Sequence, residues 1–218
     1  MQKPRRDFPL VLLMCAGLLS ACSTTGAQRA TADDDNDPLE SFNRGVFAFN
    51  EGFDKFILKP VARGYDAALH DDLKSIVTNF FSNLYMPTVA VNDLLQGKLQ
   101  QYGEDTAHFI INTTLGFAGM FDAARDFGLA THDEDFGQTL AVWGVADGPY
   151  LVLPILGPRN LRDGIGWIAD QYTYPLNYHD DNAVVWGARV LNIVDARAHF
   201  LPSDKVLEQA AGDDKYLF

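Results

Sequence analysis

Asp71-Asp72-Leu73-Lys74-Ser75-Ile76-Val77-Thr78-Asn79-Phe80-Phe81-Ser82-Asn83-Leu84 decides the class of fold. Leu73, Ile76, Val77, Phe80, Phe81 and Leu84 fall at the three- and four-residue steps of one helix face. Asp71 and Asp72 favour the positive end of that helix's dipole. Proline removes a backbone donor and crowds the preceding turn, so the spacing predicts that this helix ends before Pro87. A separate helix is then expected from Thr88 to Gln96. Upstream, Phe42, Val46, Phe49, Phe53, Phe56 and Ile57 form a second stripe. Phe47 lies off it, and Gly45 and Gly52 share a third edge, so this helix is touched from more than one side. It opens at Asp37-Pro38-Leu39-Glu40, where Asp37 can cap, Pro38 suits the first helical position and Glu40 completes a capping box. Further helices are predicted from Glu104 to Leu115, Asp135 to Trp143, Leu161 to Gln171 and Ala183 to His199. Asn160 and Asn182 are the expected caps of the last two. No run alternates like a strand, and nothing repeats at a solenoid period. The expected fold is all-α: a single domain of about seven to nine helices joined by Pro/Gly-rich irregular segments.

One segment breaks the helical pattern. Gly148-Pro149-Tyr150-Leu151-Val152-Leu153-Pro154-Ile155-Leu156-Gly157-Pro158 is almost wholly apolar, yet its prolines and glycines forbid a regular helix and argue against a central strand. Such a stretch is a connection buried under helices, an apolar wall for lipid or a membrane-dipping loop.

The N-terminus has the layout of a secretory signal. Lys3, Arg5 and Arg6 precede an apolar run from Leu10 to Leu18, followed by small residues. The run is about half the length that spans a bilayer. Leu19-Ser20-Ala21-Cys22 resembles the lipobox of bacterial lipoproteins. That resemblance implies cleavage of residues 1–21, a diacylglycerol on the Cys22 thiol and an acyl chain on its new amine. Ser23 in second place resembles an outer-membrane address. Residues 22–36, with Asp33-Asp34-Asp35, read as a flexible acidic tether, leaving the helical domain at 37–218.

The chain carries a formal charge of −12, and loss of the basic leader takes the mature protein to about −14. A surface so acidic argues against nucleic acid, and against electrostatic docking onto anionic lipid headgroups. Membrane contact beyond the anchor must then be apolar. Cys22 alone survives processing, so the fold stands without a disulfide. Signatures of catalysis are missing: no Gly-x-Ser-x-Gly elbow, phosphate loop, dinucleotide fingerprint or His-Glu-x-x-His occurs. His132-Asp133-Glu134-Asp135 is the densest run of metal-ligating types, and it reads as a solvated acidic loop. No catalytic residue, metal or cofactor is expected beyond the lipid on Cys22.

Several ordered blocks carry a family resemblance. Asp37-Pro38-Leu39-Glu40-Ser41-Phe42-Asn43-Arg44, Lys59-Pro60-Val61-Ala62, Asn79-Phe80-Phe81-Ser82-Asn83-Leu84 and Val91-Asn92-Asp93-Leu94-Leu95-Gln96-Gly97 resemble the MlaA (VacJ) family of outer-membrane phospholipid-transport lipoproteins. So do Glu134-Asp135-Phe136-Gly137-Gln138-Thr139-Leu140, Trp143-Gly144-Val145 and the stretch from Gly148 through Leu161-Arg162-Asp163. The resemblance implies a helical ring in the inner leaflet of the outer membrane, with a central amphipathic channel. It implies removal of misplaced phospholipid from the outer leaflet, transfer to a soluble periplasmic phospholipid carrier, and association with a trimeric porin. On that reading Phe49, Phe53, Tyr150, Leu151, Leu153, Pro154 and Ile155 are the candidates for lipid path or membrane contact. A structural lipoprotein scaffolding an envelope complex and a lipid-modifying enzyme are the alternatives. Family members usually continue past Asp214-Lys215-Tyr216 into another helix rich in arginine and aromatics. This sequence runs to Phe218, with Lys215 where proline is common, so a domain shortened at its C-terminal end is expected.

Overall fold

A computed structural model of the chain describes residues 37–210 and 215–216. The expected signal peptide, Cys22 and the acidic tether lie outside the described residues. Helix α1 (Glu40–Phe53) passes through a π-helical turn (Asp54–Leu58) into α2 (Lys59–Ala68) without leaving the helical region of backbone space. The expected capping box does not form. Asp37 Oδ1 accepts from the Leu39 N–H at 3.0 Å, while Glu40 turns outward to Arg44, its neighbour one turn on, at 2.7 Å.

Helix α3 (Asp71–Gln96) corrects the expectation of two helices split at Pro87: it is one 26-residue element with the proline inside. Proline deletes a single intrahelical bond, and here tertiary packing outweighs that loss. The N-terminal half of α3 lies against α8 and the C-terminal half against α4 and α6. The helix stops at Gly97, whose φ of +78° is open to glycine at little strain; its N–H and that of Lys98 return to the Asp93 and Leu94 carbonyls. Helix α4 (Leu99–Thr114) follows, beginning earlier than the expected Glu104, because the Gly97 turn already closes the Lys98 backbone onto α3.

The rest of the domain is built from shorter pieces. These are α5 (Ala123–Asp126), α6 (Phe136–Val142), α7 (Leu161–Asp170), a 3-10 turn (Pro175–Tyr178), α8 (Asn182–Phe200), a second 3-10 turn (Leu201–Ser203) and α9 (Asp204–Ala210). Asn160 caps α7 as expected, its Oδ1 accepting from the Asp163 N–H at 2.8 Å. The cap of α8 is Asp181 rather than Asn182, since the helix starts one residue early. Helices α6 and α7 cross backbone to backbone: a Cβ added at Gly166 would stand 2.3 Å from the Gly137 nitrogen. Asp195 on α8 accepts from Tyr65 of α2 at 2.7 Å and Thr78 of α3 at 2.8 Å, joining three helices at one carboxylate.

The proline-rich segment is the departure from an all-helical chain. Tyr150–Leu153 (β1) and Gly157–Asn160 (β2) form an antiparallel hairpin, with Tyr150 opposite Asn160 and Leu153 opposite Gly157. The density of prolines and glycines hid it. Pro154 falls in the turn, and Pro158 sits in a two-stranded ribbon whose outer edge requires no further donors.

Burial is distributed unusually for a helical domain. Among the largest fully buried side chains, Val89 and Val152 are apolar, whereas Asn43, Asn92, Thr88, Thr139, Asp93 and Asp105 are polar. Most of these close on one another. Asn92 donates to Asp170 at 2.9 Å, Thr139 to Asn92 at 2.8 Å, and both Asp170 oxygens accept from the Phe136 N–H, pinning α3, α6 and α7 together. Large apolar side chains point outward instead: Phe56 is 74% exposed, Phe117 75% and Trp186 65%. No helix among the described residues is long and apolar enough to cross a membrane.

Candidate functional site: an apolar groove beside a clamped hairpin

Between α3, α8 and the first 3-10 turn lies an open groove of about 510 Å³, within the usual range of ligand pockets, roughly 300–1,000 Å³. Ile76, Phe80 and Leu84 line it from α3, Leu176 from the turn, and Ala188 and Leu191 from α8. The α3 wall belongs to the stripe that the sequence presents as a packing face. Here that stripe faces open space.

Tyr85, Tyr174 and Arg189 stand next in sequence to lining residues without lining the groove themselves. Tyr85 and Tyr174, adjoining the lining residues Leu84 and Pro175, meet with ring centres 6.1 Å apart and planes tilted by 58°. Burial raises the pKa of both hydroxyls, and the nearby Arg189 charge draws that of Tyr174 part of the way back. Arg189 follows the lining residue Ala188. Its Nη2 donates to Gln171 Oε1 at 3.1 Å and to Asn177 Oδ1, and its guanidinium lies 5.7 Å from the centre of the Trp186 ring.

None of the seven residues expected at the lipid path lines this groove; they gather at a second place, where α1 meets the hairpin. Phe49 and Phe53 stack at 6.3 Å on α1, with Phe49 exposed. Tyr150, Leu151 and Leu153 are half-buried along β1, Pro154 begins the turn, and Ile155 is exposed at its tip with φ +68°. Two asparagines seven residues apart hold the strand. Asn43 donates to the Tyr150 carbonyl at 3.0 Å and accepts from the Val152 N–H at 2.9 Å; Asn50 does the same for Leu153 and Ile155 at 2.9 and 2.8 Å. The two side-chain amides thus take the place of a third strand. The seven-residue spacing, two helical turns, was the signal available in the sequence for this pair. Lys215 and Tyr216 return to the same corner. Tyr216 donates to Asp37 Oδ2, its ring meets Phe47 at 5.7 Å and Tyr150 at 6.3 Å, and Lys215 pairs with Glu51 at 2.6 Å. Burial pushes the Asp37 carboxyl up, but hydrogen bonds from Tyr216, Asn43 and the Leu39 N–H hold it below the ordinary carboxylate range.

A third polar feature sits in the α3–α4 elbow. Asp93 and Asp105 are both fully buried, and neither oxygen of Asp93 meets a hydrogen-bond donor. Asp105 accepts from the His132 N–H at 3.2 Å and its ring Nδ1 at 3.0 Å, and Glu134 accepts from Lys98 at 2.6 Å. Burial, then the facing Asp105 and the charge of Glu134, raise Asp93 to about 7, with His132 opposing. Among the described residues, no three His, Cys, Asp or Glu side chains are grouped to hold a metal ion.

A small helical domain with large apolar side chains outside, a hydrogen-bonded polar interior and an open apolar groove has the exposed apolar surface of a protein that contacts a membrane or another protein. The sequence comparisons agree with that class. The model of the MlaA lipoprotein family matches residues 35–218. An uncharacterised protein of Rickettsia typhi is 43% identical over 176 residues, covering 80% of this chain and 70% of its own length. The intermembrane phospholipid transport system lipoprotein MlaA of Escherichia coli K12 is 35% identical over 207 residues, covering 92% and 79%. A solved structure described as the structural basis for maintenance of bacterial outer membrane lipid asymmetry superimposes with a TM-score of 0.71 at 36% identity, over 79% of this chain and 88% of that one. The chain belongs to the MlaA lipoprotein family.

Proposed function

We propose that this protein is a lipid-anchored component of the outer membrane, facing the periplasm, that removes mislocalised phospholipid from the outer leaflet. Phospholipid moves through an amphipathic channel and passes to a soluble periplasmic carrier for retrograde transport, which keeps the outer membrane asymmetric. The observation that carries this reading is the open groove between α3 and α8, apolar along its length and suited to an acyl chain. The outward-facing Phe56, Phe117 and Trp186 suit a domain seated in a leaflet. The roles of the E. coli relative, in intermembrane phospholipid transport, and of the solved structure, in lipid asymmetry, support it. A diacylglycerol and an N-acyl chain on Cys22 supply the anchor, since two or more chains hold a protein at a membrane where one does not. A trimeric porin is the proposed neighbour in the bilayer. Catalysis has no part in this reading.

Ala188→Trp tests it by filling the groove from α8. With the protein at its normal level, cells carrying this variant are expected to become as sensitive to detergent and chelator as cells lacking the gene. Normal resistance with the groove filled would reject the groove as the lipid path.

A further inference from the structure

The loop between α4 and α5 holds two of the three non-glycine residues with positive φ among the described residues. Phe117 stands at +53° and Ala118 at +58°, with Gly119 following at +87°. Backbone of that kind persists only where its surroundings over-determine it. Here they do. The N–H groups of Leu115 and Gly116 donate to Ile111, those of Ala118 and Gly119 to Thr113 and Asn112, that of Met120 to Phe117 and that of Phe121 to Gly116. Asn79 of α3 donates to the Met120 carbonyl at 3.4 Å, and a Cβ added at Gly119 would stand 2.3 Å from that of Asn83. What this fixed turn presents is apolar. Residues 115–121, Leu-Gly-Phe-Ala-Gly-Met-Phe, include no charged side chain. Leu115, Phe117, Met120 and Phe121 are exposed, Phe117 more than any other large apolar side chain described, and its ring meets Phe121 edge-on at 6.4 Å. The first acid, Asp122, is drawn back onto Asn112, His108 and the Arg125 N–H. Met120 also lines the groove with Ile76 and Phe80, so the loop belongs at once to the groove wall and to the outer surface.

A backbone that satisfies its own donors is what entry among lipid tails requires, because no water is there to bond them. Attraction to anionic headgroups is closed to a chain of formal charge −12, so contact with lipid falls to apolar side chains. We propose that the loop at 115–121 dips into the hydrocarbon of the bilayer and forms the lip across which an acyl chain passes between bilayer and groove. This rests on the reading of the groove as the lipid path, and adds its point of entry. Phe117 and Phe121 hold the lip among the tails, and Met120, unbranched and adaptable, joins it to the groove. The left-handed turn folds the amides inward while leaving both rings exposed.

The test uses the full-length lipidated protein in phosphatidylcholine nanodiscs, with a nitroxide attached through Ala118→Cys, which leaves both phenylalanines in place. With Cys15 removed in the leader and the Cys22 thiol bound to diacylglycerol, the introduced cysteine is the one free thiol. The label is expected to collide with oxygen, which concentrates among lipid tails, more often than with a water-soluble nickel chelate. In cells, Phe117→Asn combined with Phe121→Ser removes the apolar tip, and asparagine suits the left-handed backbone at 117. At normal protein level and unchanged melting temperature, this variant should lose resistance to detergent and chelator as Ala188→Trp does. If it accumulates poorly, Phe117→Asn alone, at the most exposed position, decides the matter. A label reached mainly by the chelate overturns the lip; if the double variant is sensitive all the same, the loop meets a protein instead. A label among the tails with full resistance in the double variant makes the loop a seat and not an entry, and also overturns the proposal. In either case, sensitivity of Ala188→Trp leaves the groove standing as the lipid path. Resistance of Ala188→Trp fails the groove reading, and the lip falls with it.

Discussion

Asp93→Asn is expected to stabilise the protein at alkaline pH and to do little in acid. The Asp93 carboxyl is fully buried against Asp105, and its environment raises it from 3.8 to about 7. Every charged group that faces it belongs to the same elbow: Asp105 from α4, Glu134 and His132 from the segment before α6, with Lys98 held on Glu134. The folded state therefore binds a proton that the unfolded chain releases near pH 4. Stability is full below about pH 4, falls as pH rises towards 7 and levels off above it, because the unfolded state binds fewer protons throughout that window. About three pH units at 1.36 kcal/mol each put the loss at pH 8 on the order of 4 kcal/mol. Asparagine has the same shape, cannot ionise, and offers Asp105 a donor. Thermal melts of the full-length protein in mild detergent, followed by circular dichroism at pH 4 and pH 8, provide the assay. For a domain of this size the variant should melt roughly 10 °C above wild type at pH 8 and within a few degrees of it at pH 4. A variant that melts lower at pH 8, or a difference that is the same at both pH values, would refute the argument that Asp93 takes up a proton on folding.

Asn43→Ala should destabilise the domain by about 2–5 kcal/mol, because it strands the buried Val152 N–H and the Tyr150 carbonyl, as urea unfolding would show. Asn50→Ala, acting on the exposed tip, should lower stability by only about 1 kcal/mol while hydrogen exchange at Ile155 rises sharply. Gly166→Ala puts a methyl group 2.3 Å from the Gly137 backbone and should reduce stability by about 3 kcal/mol or more, read from accumulation and melting temperature. Cys22→Ala should yield a precursor that no longer incorporates labelled palmitate; undiminished labelling would exclude Cys22 as the lipidated residue.

Much of the helical framework is written locally. The Leu73–Leu84 stripe, the Asn160 cap and the acidic start of α3 all concern residues within four positions of one another, which a sequence exposes directly. Pro87 was misleading because its effect is also local, whereas the packing that overrides it comes from α4, α6 and α8. The hairpin was hidden for a related reason. One edge of β1 pairs with amide side chains 103 to 109 positions away, an arrangement with no periodic signature. The groove was half legible: Ile76, Phe80 and Leu84 declare an apolar face, but a stripe reads the same whether a helix or a cavity lies opposite.

The central claim is that the α3–α8 groove holds a phospholipid while the exposed apolar side chains sit in one leaflet. Electron cryo-microscopy of the full-length lipidated protein in phospholipid nanodiscs tests it most directly. Acyl-chain density running along Ile76, Phe80, Leu84 and Leu191, with Phe56, Phe117 and Trp186 at the depth of lipid tails, is the expected result. A groove filled with water or closed by protein, with those aromatics outside the bilayer, would contradict the account.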